Sequence, residues 1–436
     1  MNFLVDHSLK SAILRNCIIQ LIWWAIFFPG FYSTDSFAVL QMAKTGELNG
    51  MWSAPWAIVI TFLTFGGTYP AIATLLFSLV FSISLTIFVY SILKPEQSSL
   101  ISVLLHLTPL VGAVGITLWH DIPMTAGFFL VSAFLIRARK NGQITVNEVA
   151  LLLIPGMFLS TFRGNGLPTV LVLLVFFVMI EKRVKRKRLI LWGLIFSIAV
   201  IAVSGSQMKA EGLSDAEIAT SWIIYDVSCY ASTEKGQGFV ERNIPGVGNT
   251  DSWSSASACT WFSDAKLSSQ EIDKARERLP KLLLSLAKED LGFLISTHLQ
   301  RHKYLVPIPI YGIPRPPFIH SSIEFVNGDV NWKFQQVAEK ARSYIRVWNY
   351  FNFFFAYSGL WLMVIFFAAV MKRNRDFLYI GILSLVLSVS LFIFAGISDA
   401  RYVLYILIAG QIIGLHALLE SVTTLTQLRA RRNIIE

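Results

Sequence analysis

The chain has 436 residues, of which 54% are hydrophobic and only 15% are charged, and its net charge is +10. A soluble domain carries about 25% charged residues, so the composition excludes an ordinary soluble enzyme and indicates an integral membrane protein. The basic excess does not predict a nucleic-acid partner, because much of it lies in short loops between apolar segments, where it indicates membrane orientation.

Ten apolar segments are candidate transmembrane helices, since a span needs roughly 20 mostly apolar residues. The stretch 55–65 is about half that length, and we interpret it as a re-entrant or membrane-edge helix. The predicted fold class is an all-α polytopic membrane protein. No cleavage site follows the first segment, so we expect it to be a retained span. The candidates run near 13–31, 68–93, 99–118, 122–137, 148–162, 166–181, 189–205, 350–371, 377–396 and 402–420.

Basic residues predict the orientation of these spans. The loops on one side hold only Lys44, Arg163 and Arg401, if the long segment 206–348 is left out. Short cytoplasmic loops are enriched in Lys and Arg, so both termini are predicted to be cytoplasmic. The predicted cytoplasmic side carries the remaining basic residues of the loops and termini, at positions 10, 15, 94, 137, 139, 140, 182, 183, 185–188, 372, 373, 375, 429, 431 and 432.

The long polar segment 206–348 is the part of the chain able to form an outer, mostly helical domain. It separates a predicted module of seven spans, 1–205, from one of three spans, 349–436. Within it we expect a helix from a capping box at 268–271 to Arg278, a second from Pro280, and an amphipathic third over 291–304. A proline-rich stretch at 306–317 is predicted to be extended.

Two cysteines, Cys229 and Cys259, lie in this outer segment and are a candidate disulfide. An oxidising compartment permits the bond, although spacing alone does not show that the two residues are close. The alternative is two buried thiols. The third cysteine, Cys17, lies in the first span, where packing explains it.

Four polar clusters interrupt the apolar sequence, and the predicted topology places all of them on the outer face. Charged groups near hydrocarbon are costly, so they favour a functional interpretation. Two acids and two arginines on one face suggest a negatively charged, membrane-borne substrate. The clusters are Thr34-Asp35-Ser36, Trp119-His120-Asp121, Arg163-Gly164-Asn165 and Ser398-Asp399-Ala400-Arg401-Tyr402.

Sugar transfer from a lipid-linked donor needs the chemistry that these clusters offer. The attacking hydroxyl must lose a proton, which a carboxylate such as Asp35 or Asp121 can accept. The leaving lipid phosphate is an anion, and arginine binds phosphate oxygens in pairs, which suits Arg163 and Arg401.

Each of these residues also has a structural interpretation. Asp35 could cap a helix that starts at Ser36, and Asp121 could cap the fourth span. His120 could be a ligand, an acid or a surface residue, and Asp399 could form a local ion pair with Arg401. Further basic residues of the outer segment could contact phosphate or anionic lipid head groups: Arg301, His302, Lys303 and Arg315.

Several short motifs resemble the membrane-embedded GT-C class of polyprenyl-phosphate-sugar glycosyltransferases, in particular bacterial enzymes that decorate O-antigen and convert serotype. Residues 28–36 resemble the first-loop pattern in which an apolar-Pro-Gly run closes on a catalytic Asp, here Asp35. Residues 52–55 resemble a Trp-x-x-Pro element that follows it. Residues 119–121 match the position of a second acid, and 400–402 match a C-terminal Arg-Tyr.

The resemblance implies that Asp35 is the catalytic base, within a catalytic first outer loop at 30–67. Asp121 would be a second acid that orients the acceptor or, with Asp35, holds a divalent cation such as Mg²⁺ or Mn²⁺. The first loop departs from some relatives in having one acid rather than an Asp-Glu pair. The expected substrate-binding residues are Trp52, His120, Arg163, Asn165, Arg301, Lys303, Arg315, Asp399, Arg401 and Tyr402.

The same resemblance implies a periplasmic active site in a bacterial inner membrane. A hexose such as glucose would pass from an undecaprenyl-type phosphate to lipopolysaccharide O-antigen or another glycan, with inversion or retention. A flippase and a donor-loading glycosyltransferase would be functional partners, and nucleic acid would not. Two alternatives are an O-antigen polymerase or ligase, which relies on Arg and His, and a lipid-linked sugar transporter or flippase, which should show repeated halves and midspan polar groups.

Overall fold

The structure, a computed structural model, describes a chain that is predominantly helical. It covers residues 6–46, 54–142, 145, 154–163, 166–180, 187, 195, 216–259, 266–267, 271, 274–275, 278–305, 335–395 and 400–435. Within these residues there is no strand, and the one β-bridge joins Phe31 to Thr117. The all-α prediction is therefore confirmed for the described residues.

The helices are numbered here in chain order. They are α1 Leu9–Ile26, α2 Thr34–Thr45, α3 Ala54–Leu63, α4 Pro70–Ile92, α5 Pro95–Leu107, α6 Gly112–Gly115, α7 Asp121–Asn141, α8 Ile154–Ser160, α9 Gly166–Ile180, α10 Ala216–Ala231, α11 Phe239–Asn243, α12 Thr250–Trp253, α13 Leu279–Arg301, α14 Gln335–Asn349, α15 Asn352–Phe355, α16 Ser358–Met371, α17 Arg375–Phe394 and α18 Leu404–Ile435. Short 3₁₀ helices cover Glu234–Gly236, Ser257–Cys259, Lys303–Leu305 and Ala400–Val403.

Five helices of the described chain are long and apolar enough to cross a membrane, which supports a membrane protein but not the predicted count of ten spans. Two further apolar helices, α9 and α16, are shorter. Of the predicted span 189–205 only residue 195 is described, and residues 148–153 of the span 148–162 lie outside the described residues. The five candidates are Leu9–Ile26, Pro70–Ile92, Asp121–Asn141, Arg375–Ile393 and Ala400–Ser421.

The predicted third span, 99–118, is wrong as a continuous helix. Helix α5 ends at Leu107, and Thr108 takes an extended backbone conformation, φ −72° and ψ 146°. The following residue is Pro109, whose ring disfavours a helical conformation in the residue before it. The chain then forms only the short helix α6 before the next turn.

Helices α2 and α3 form a short pair after α1. They contain 12 and 10 residues and pack against each other. Neither is long enough to span a bilayer. This agrees with the interpretation of 55–65 as less than a full span.

Helix α7 lies at the centre of the main hydrophobic core. It packs on α4, α8, α9 and α18, and 94% of its apolar window is buried. Its 21 residues extend for about 30 Å at ~1.5 Å per residue. The helix therefore separates two ends of the molecule: the end at Asp121, and the end at Arg139 and Lys140.

Ion pairs secure the end of α7 that carries the basic residues. The Nε and Nη2 atoms of Arg139 donate to the two carboxylate oxygens of Asp376 in α17, at 2.5 and 2.8 Å. Lys140 donates to the backbone oxygen of Ser91, at the end of α4. These contacts join three of the five long helices at the end predicted to be cytoplasmic.

The outer segment has a second hydrophobic core. Helices α10 and α13 form it around Tyr230, Trp253 and Leu282, with α11 and α12 packed alongside. The two helices predicted from Pro280 and over 291–304 are the two segments of α13, which are separated by a kink at the non-helical Asp290, φ −151° and ψ 78°. The predicted capping box and proline-rich stretch fall largely or wholly outside the described residues. A disulfide joins Cys229 to Cys259.

Helix α14, at the end of the predicted outer segment, packs against the main hydrophobic core. Ala338 and Ile345 of α14 are buried with residues of the long helices. The Tyr344 hydroxyl donates to the backbone oxygen of Leu107, where α5 ends. This amphipathic helix was not predicted from the sequence.

A buried polar cluster joins the two cores. The guanidinium of Arg301 pairs with Asp226 of α10, and both side chains are fully buried. His298 contacts the backbone oxygen of Phe392 in α17 through its ring. Burial lowers the pKa of His298, and burial together with the His298 and Arg301 charges lowers that of His302 further. Arg301 supplies a positive charge beside Asp226.

We expect Asp226→Ala to lower the stability of the outer segment strongly, because it leaves the Arg301 guanidinium buried without its carboxylate. Breaking such a buried pair costs about 3–5 kcal/mol. Thermal unfolding in detergent measures the loss. The control is Arg242→Ala, which removes an ion pair with Glu289 that is 56% exposed on the arginine side. Equal melting temperatures for the two variants would contradict the assignment.

Candidate functional site

Asp35 lies in the first turn of α2, at the opposite end of α7 from Arg139. Ser33, not Asp35, is the N-cap: its hydroxyl accepts from the Ser36 backbone, and the Ser36 hydroxyl accepts from the Ser33 backbone. The cap interpretation of Asp35 is therefore wrong. Its side chain is 30% exposed.

A backbone contact fixes the first loop against the turn that precedes α7. The backbone N–H of Phe31 donates to the backbone oxygen of Ile116 at 3.1 Å, and the backbone N–H of Leu118 donates to the backbone oxygen of Phe31 at 2.9 Å. Gly30 permits this approach because its φ is +109° and a Cβ would lie 2.8 Å from the Ile116 backbone oxygen. The backbone conformation and the close packing beside the site therefore require the glycine of this Pro-Gly element.

Side chains reinforce the same junction. The Trp119 indole donates to the Ser33 hydroxyl at 2.7 Å, and the Ser36 hydroxyl donates to the Leu118 backbone oxygen at 2.8 Å. The cap of α2 is thereby tied to the residues just before Asp121. Asp35 and Asp121 are 86 residues apart in the sequence, and this junction holds them at one site.

Asp121 is the first residue of α7 and is completely buried. His120 occupies the N-cap position without a capping side-chain bond, so the cap interpretation of Asp121 is also wrong. The carboxylate instead accepts from Nη1 of Arg163 at 2.8 Å through Oδ1. Its Oδ2 accepts no hydrogen bond from any described residue.

Arg401, in the 3₁₀ helix that precedes α18, lies between the two acids. Its Nη2 is 2.5 Å from Oδ2 of Asp35, and its Nε is 4.0 Å from Oδ2 of Asp121. With Arg163, these residues form a continuous series of opposite charges, Arg163–Asp121–Arg401–Asp35. We call these four residues the charged cluster. Its formal charge is zero.

Two aromatic rings hold the arginines. The Arg163 guanidinium lies 3.5 Å from the centroid of the Tyr402 ring, and that of Arg401 lies 4.9 Å from the Trp119 ring. Arg401 also donates to the Tyr402 hydroxyl at 3.3 Å. Such contacts contribute ~0.5–2 kcal/mol each and fix the planes of the guanidinium groups. Trp119 was noted only as part of a motif, and its contacts to Ser33 and Arg401 were not predicted.

His120 is buried beside the charged cluster. Its Nε2 is 3.7 Å from Oδ1 of Asp121, and its ring lies 6.1 Å from that of Trp56. It is therefore not a surface residue, as one interpretation of the sequence had it.

The other predicted site residues lie elsewhere or are not described. Arg301 is buried with Asp226 and is unavailable to a substrate in this arrangement, which corrects its assignment as a phosphate ligand. Lys303 is half-buried in the 3₁₀ helix that follows α13. Trp52, Asn165, Arg315 and Asp399 lie outside the described residues.

The charged cluster does not fit a divalent cation in this arrangement. No group of three His, Cys, Asp or Glu side chains with metal-binding geometry occurs among the described residues. Asp35 and Asp121, the two acids expected to hold Mg²⁺ or Mn²⁺, each contact an arginine instead. A cation would have to displace a guanidinium from its carboxylate.

Comparisons with protein-family models, with curated proteins and with solved structures give no match. The resemblance to GT-C glycosyltransferases therefore depends on the short motifs of the sequence.

We expect Asp121→Asn to destabilise the protein more than Asp35→Asn. Asp121 is fully buried against Arg163, and removal of its charge leaves a desolvated guanidinium, which costs about 3–5 kcal/mol. Asp35 is partly exposed, so the loss of its pair should cost about 1 kcal/mol or less. Melting temperatures of both variants in the same detergent test this order. Equal decreases in melting temperature would show that the difference in burial between the two acids does not affect stability.

Proposed function

We propose that this protein transfers a sugar from a polyprenyl-phosphate donor to a surface glycan such as O-antigen, at the outer face of the bacterial cytoplasmic membrane. The charged cluster is the observation that carries the proposal. It combines carboxylates able to accept a proton with guanidinium groups able to bind a phosphate, at one end of the membrane helices.

Asp35 is the proposed general base. It is the more exposed of the two acids, and a base must reach the acceptor hydroxyl to within hydrogen-bonding distance. As the acceptor oxygen forms its bond to the anomeric carbon, its proton passes to the Asp35 carboxylate. The bond between the anomeric carbon and the phosphate oxygen breaks, and the electron pair stays with the lipid phosphate.

Arg401 is the proposed phosphate ligand. It adjoins Asp35, so a phosphate that it holds lies next to the base, as the reaction requires. Preorganised positive charge at a developing anion is usually the largest contribution to catalysis. The Trp119 ring restricts the guanidinium plane before the donor arrives.

Asp121 has a positioning role in this proposal rather than a role as a second acid. Its carboxylate is completely buried, holds Arg163 and lies 4.0 Å from Arg401. A fixed internal anion of this kind keeps two arginines together that would otherwise repel each other. No step of the proposed reaction requires a divalent cation.

We expect Asp35→Asn to abolish transfer in a purified system with polyprenyl-phosphate sugars and isolated lipopolysaccharide. A general base typically contributes 10²–10⁴-fold to the rate. The measurement is product formation by wild type and variant in nanodiscs, at equal melting temperature. The donor panel includes several hexoses, because the proposal does not fix the sugar.

Asp251→Asn is the matched control. Asp251 also occupies the first turn of a helix with a capping box, between Asn249 and Ser252, but it is exposed and lies in the outer segment. It should retain wild-type transfer. Equal activity of Asp35→Asn and wild type would remove Asp35 from the chemistry. Absence of transfer from every donor, with folded protein, would favour the polymerase, ligase or transporter alternatives.

A further inference from the structure

The ion pair between Asp35 and Arg401 conflicts with the roles proposed for both residues. A base must have a carboxylate oxygen available for the acceptor proton, and a phosphate ligand must have guanidinium N–H groups available for the donor. In this structure Asp35 Oδ2 and Arg401 Nη2 are engaged with each other at 2.5 Å. The conflict is removed if the donor phosphate replaces Asp35 on Arg401.

We propose that this ion pair is an autoinhibitory contact that the donor phosphate opens. The inference rests on the proposed function and adds an order of events to it. Before the donor binds, Asp35 is paired with Arg401 and does not accept the acceptor proton. When the phosphate takes Asp35's place, Asp35 becomes available to the acceptor, so the base is released only when a donor is present.

The burial of the cluster determines which acid is exchanged. The side chain of Asp35 is 30% exposed and that of Asp121 is fully buried, so an incoming phosphate can reach the guanidinium on the Asp35 side. Asp121 also holds Arg163, which is stacked on Tyr402. Asp35 is therefore the replaceable counterion of the cluster, and Asp121 is the permanent one.

Asp121 also prepares Arg401 for the exchange. Its Oδ2 accepts no hydrogen bond from the described residues and lies 4.0 Å from Arg401 Nε. When Asp35 leaves, this oxygen can keep the guanidinium in place through a small movement. The Trp119 ring on the guanidinium face restrains it further. Arg401 can thus change partners without losing its position.

The proton balance of transfer then resets the site. During the reaction the acceptor proton passes to Asp35, which makes this carboxyl neutral, and the lipid phosphate leaves with the bonding electrons. A neutral Asp35 does not compete for Arg401, so the phosphate stays bound. When Asp35 releases its proton to water, its carboxylate can pair again with Arg401 and expel the lipid phosphate.

Binding of undecaprenyl phosphate, the carrier without sugar, tests the exchange separately from transfer. The full chain in nanodiscs is titrated with this lipid and, as a phosphate-free reference, with undecaprenol. Asp35→Asn should bind the phosphate about tenfold more tightly than wild type, since it removes the competing anion; tenfold corresponds to about 1.4 kcal/mol. Arg401→Ala should lose the binding, and Asp251→Asn should match wild type.

Two results would overturn the exchange. Unchanged or weaker phosphate affinity in Asp35→Asn, with Arg401→Ala still defective, would mean that phosphate and Asp35 do not compete. Unchanged affinity in Arg401→Ala would place the phosphate elsewhere. In either case active transfer by wild type would leave the proposed function standing, so the two failures are distinguishable. Melting temperatures of each variant without lipid verify that the protein is folded.

Discussion

The structure around the site depends on the neutralisation of Asp121. This carboxylate begins a helix that is almost wholly buried, and an isolated ion there would carry a desolvation cost of several kcal/mol. Arg163 is within hydrogen-bonding distance and Arg401 lies close by, each from a different part of the chain. The need for these partners brings the turn after α8 and the 3₁₀ helix before α18 to the beginning of α7. The charged cluster is therefore a structural requirement as well as a candidate for chemistry.

A second buried ion pair has a different use. Arg301 and Asp226 are both inaccessible and join α13 to α10, while His298 and Phe392 connect α13 to α17. The same residue types thus form an anchor in one place and a partly exposed, replaceable pair in another. The two pairs differ in exposure. Asp35 is partly exposed, so water can solvate it when a phosphate replaces it on Arg401, as the proposed exchange requires. Asp226 is fully buried and cannot leave Arg301 in this way.

The convergence of Asp35, Asp121, Arg163 and Arg401 could be predicted from the sequence, because alternation of spans places every second loop on one side. Their pairing could not be predicted, since hydropathy does not specify how helices are arranged laterally. Other errors have local causes. Pro109 interrupts an apolar segment that composition alone favours as a span. Arg301 was interpreted as a surface cation because its partner, Asp226, lies 75 residues away.

Neutrality of the charged cluster also limits how the site can work. With both arginines matched by acids, the cluster has no excess positive charge to attract an anion, which favours the proposed replacement of a carboxylate by the donor phosphate. Asp121 is excluded from replacement by its burial, which leaves Asp35. In the proposed exchange, the residue that must remain inactive until a donor arrives is therefore the same residue that the donor releases. Two arginines, one buried acid and one partly exposed acid are sufficient to couple donor binding to release of the base in this proposal, and no domain has to move.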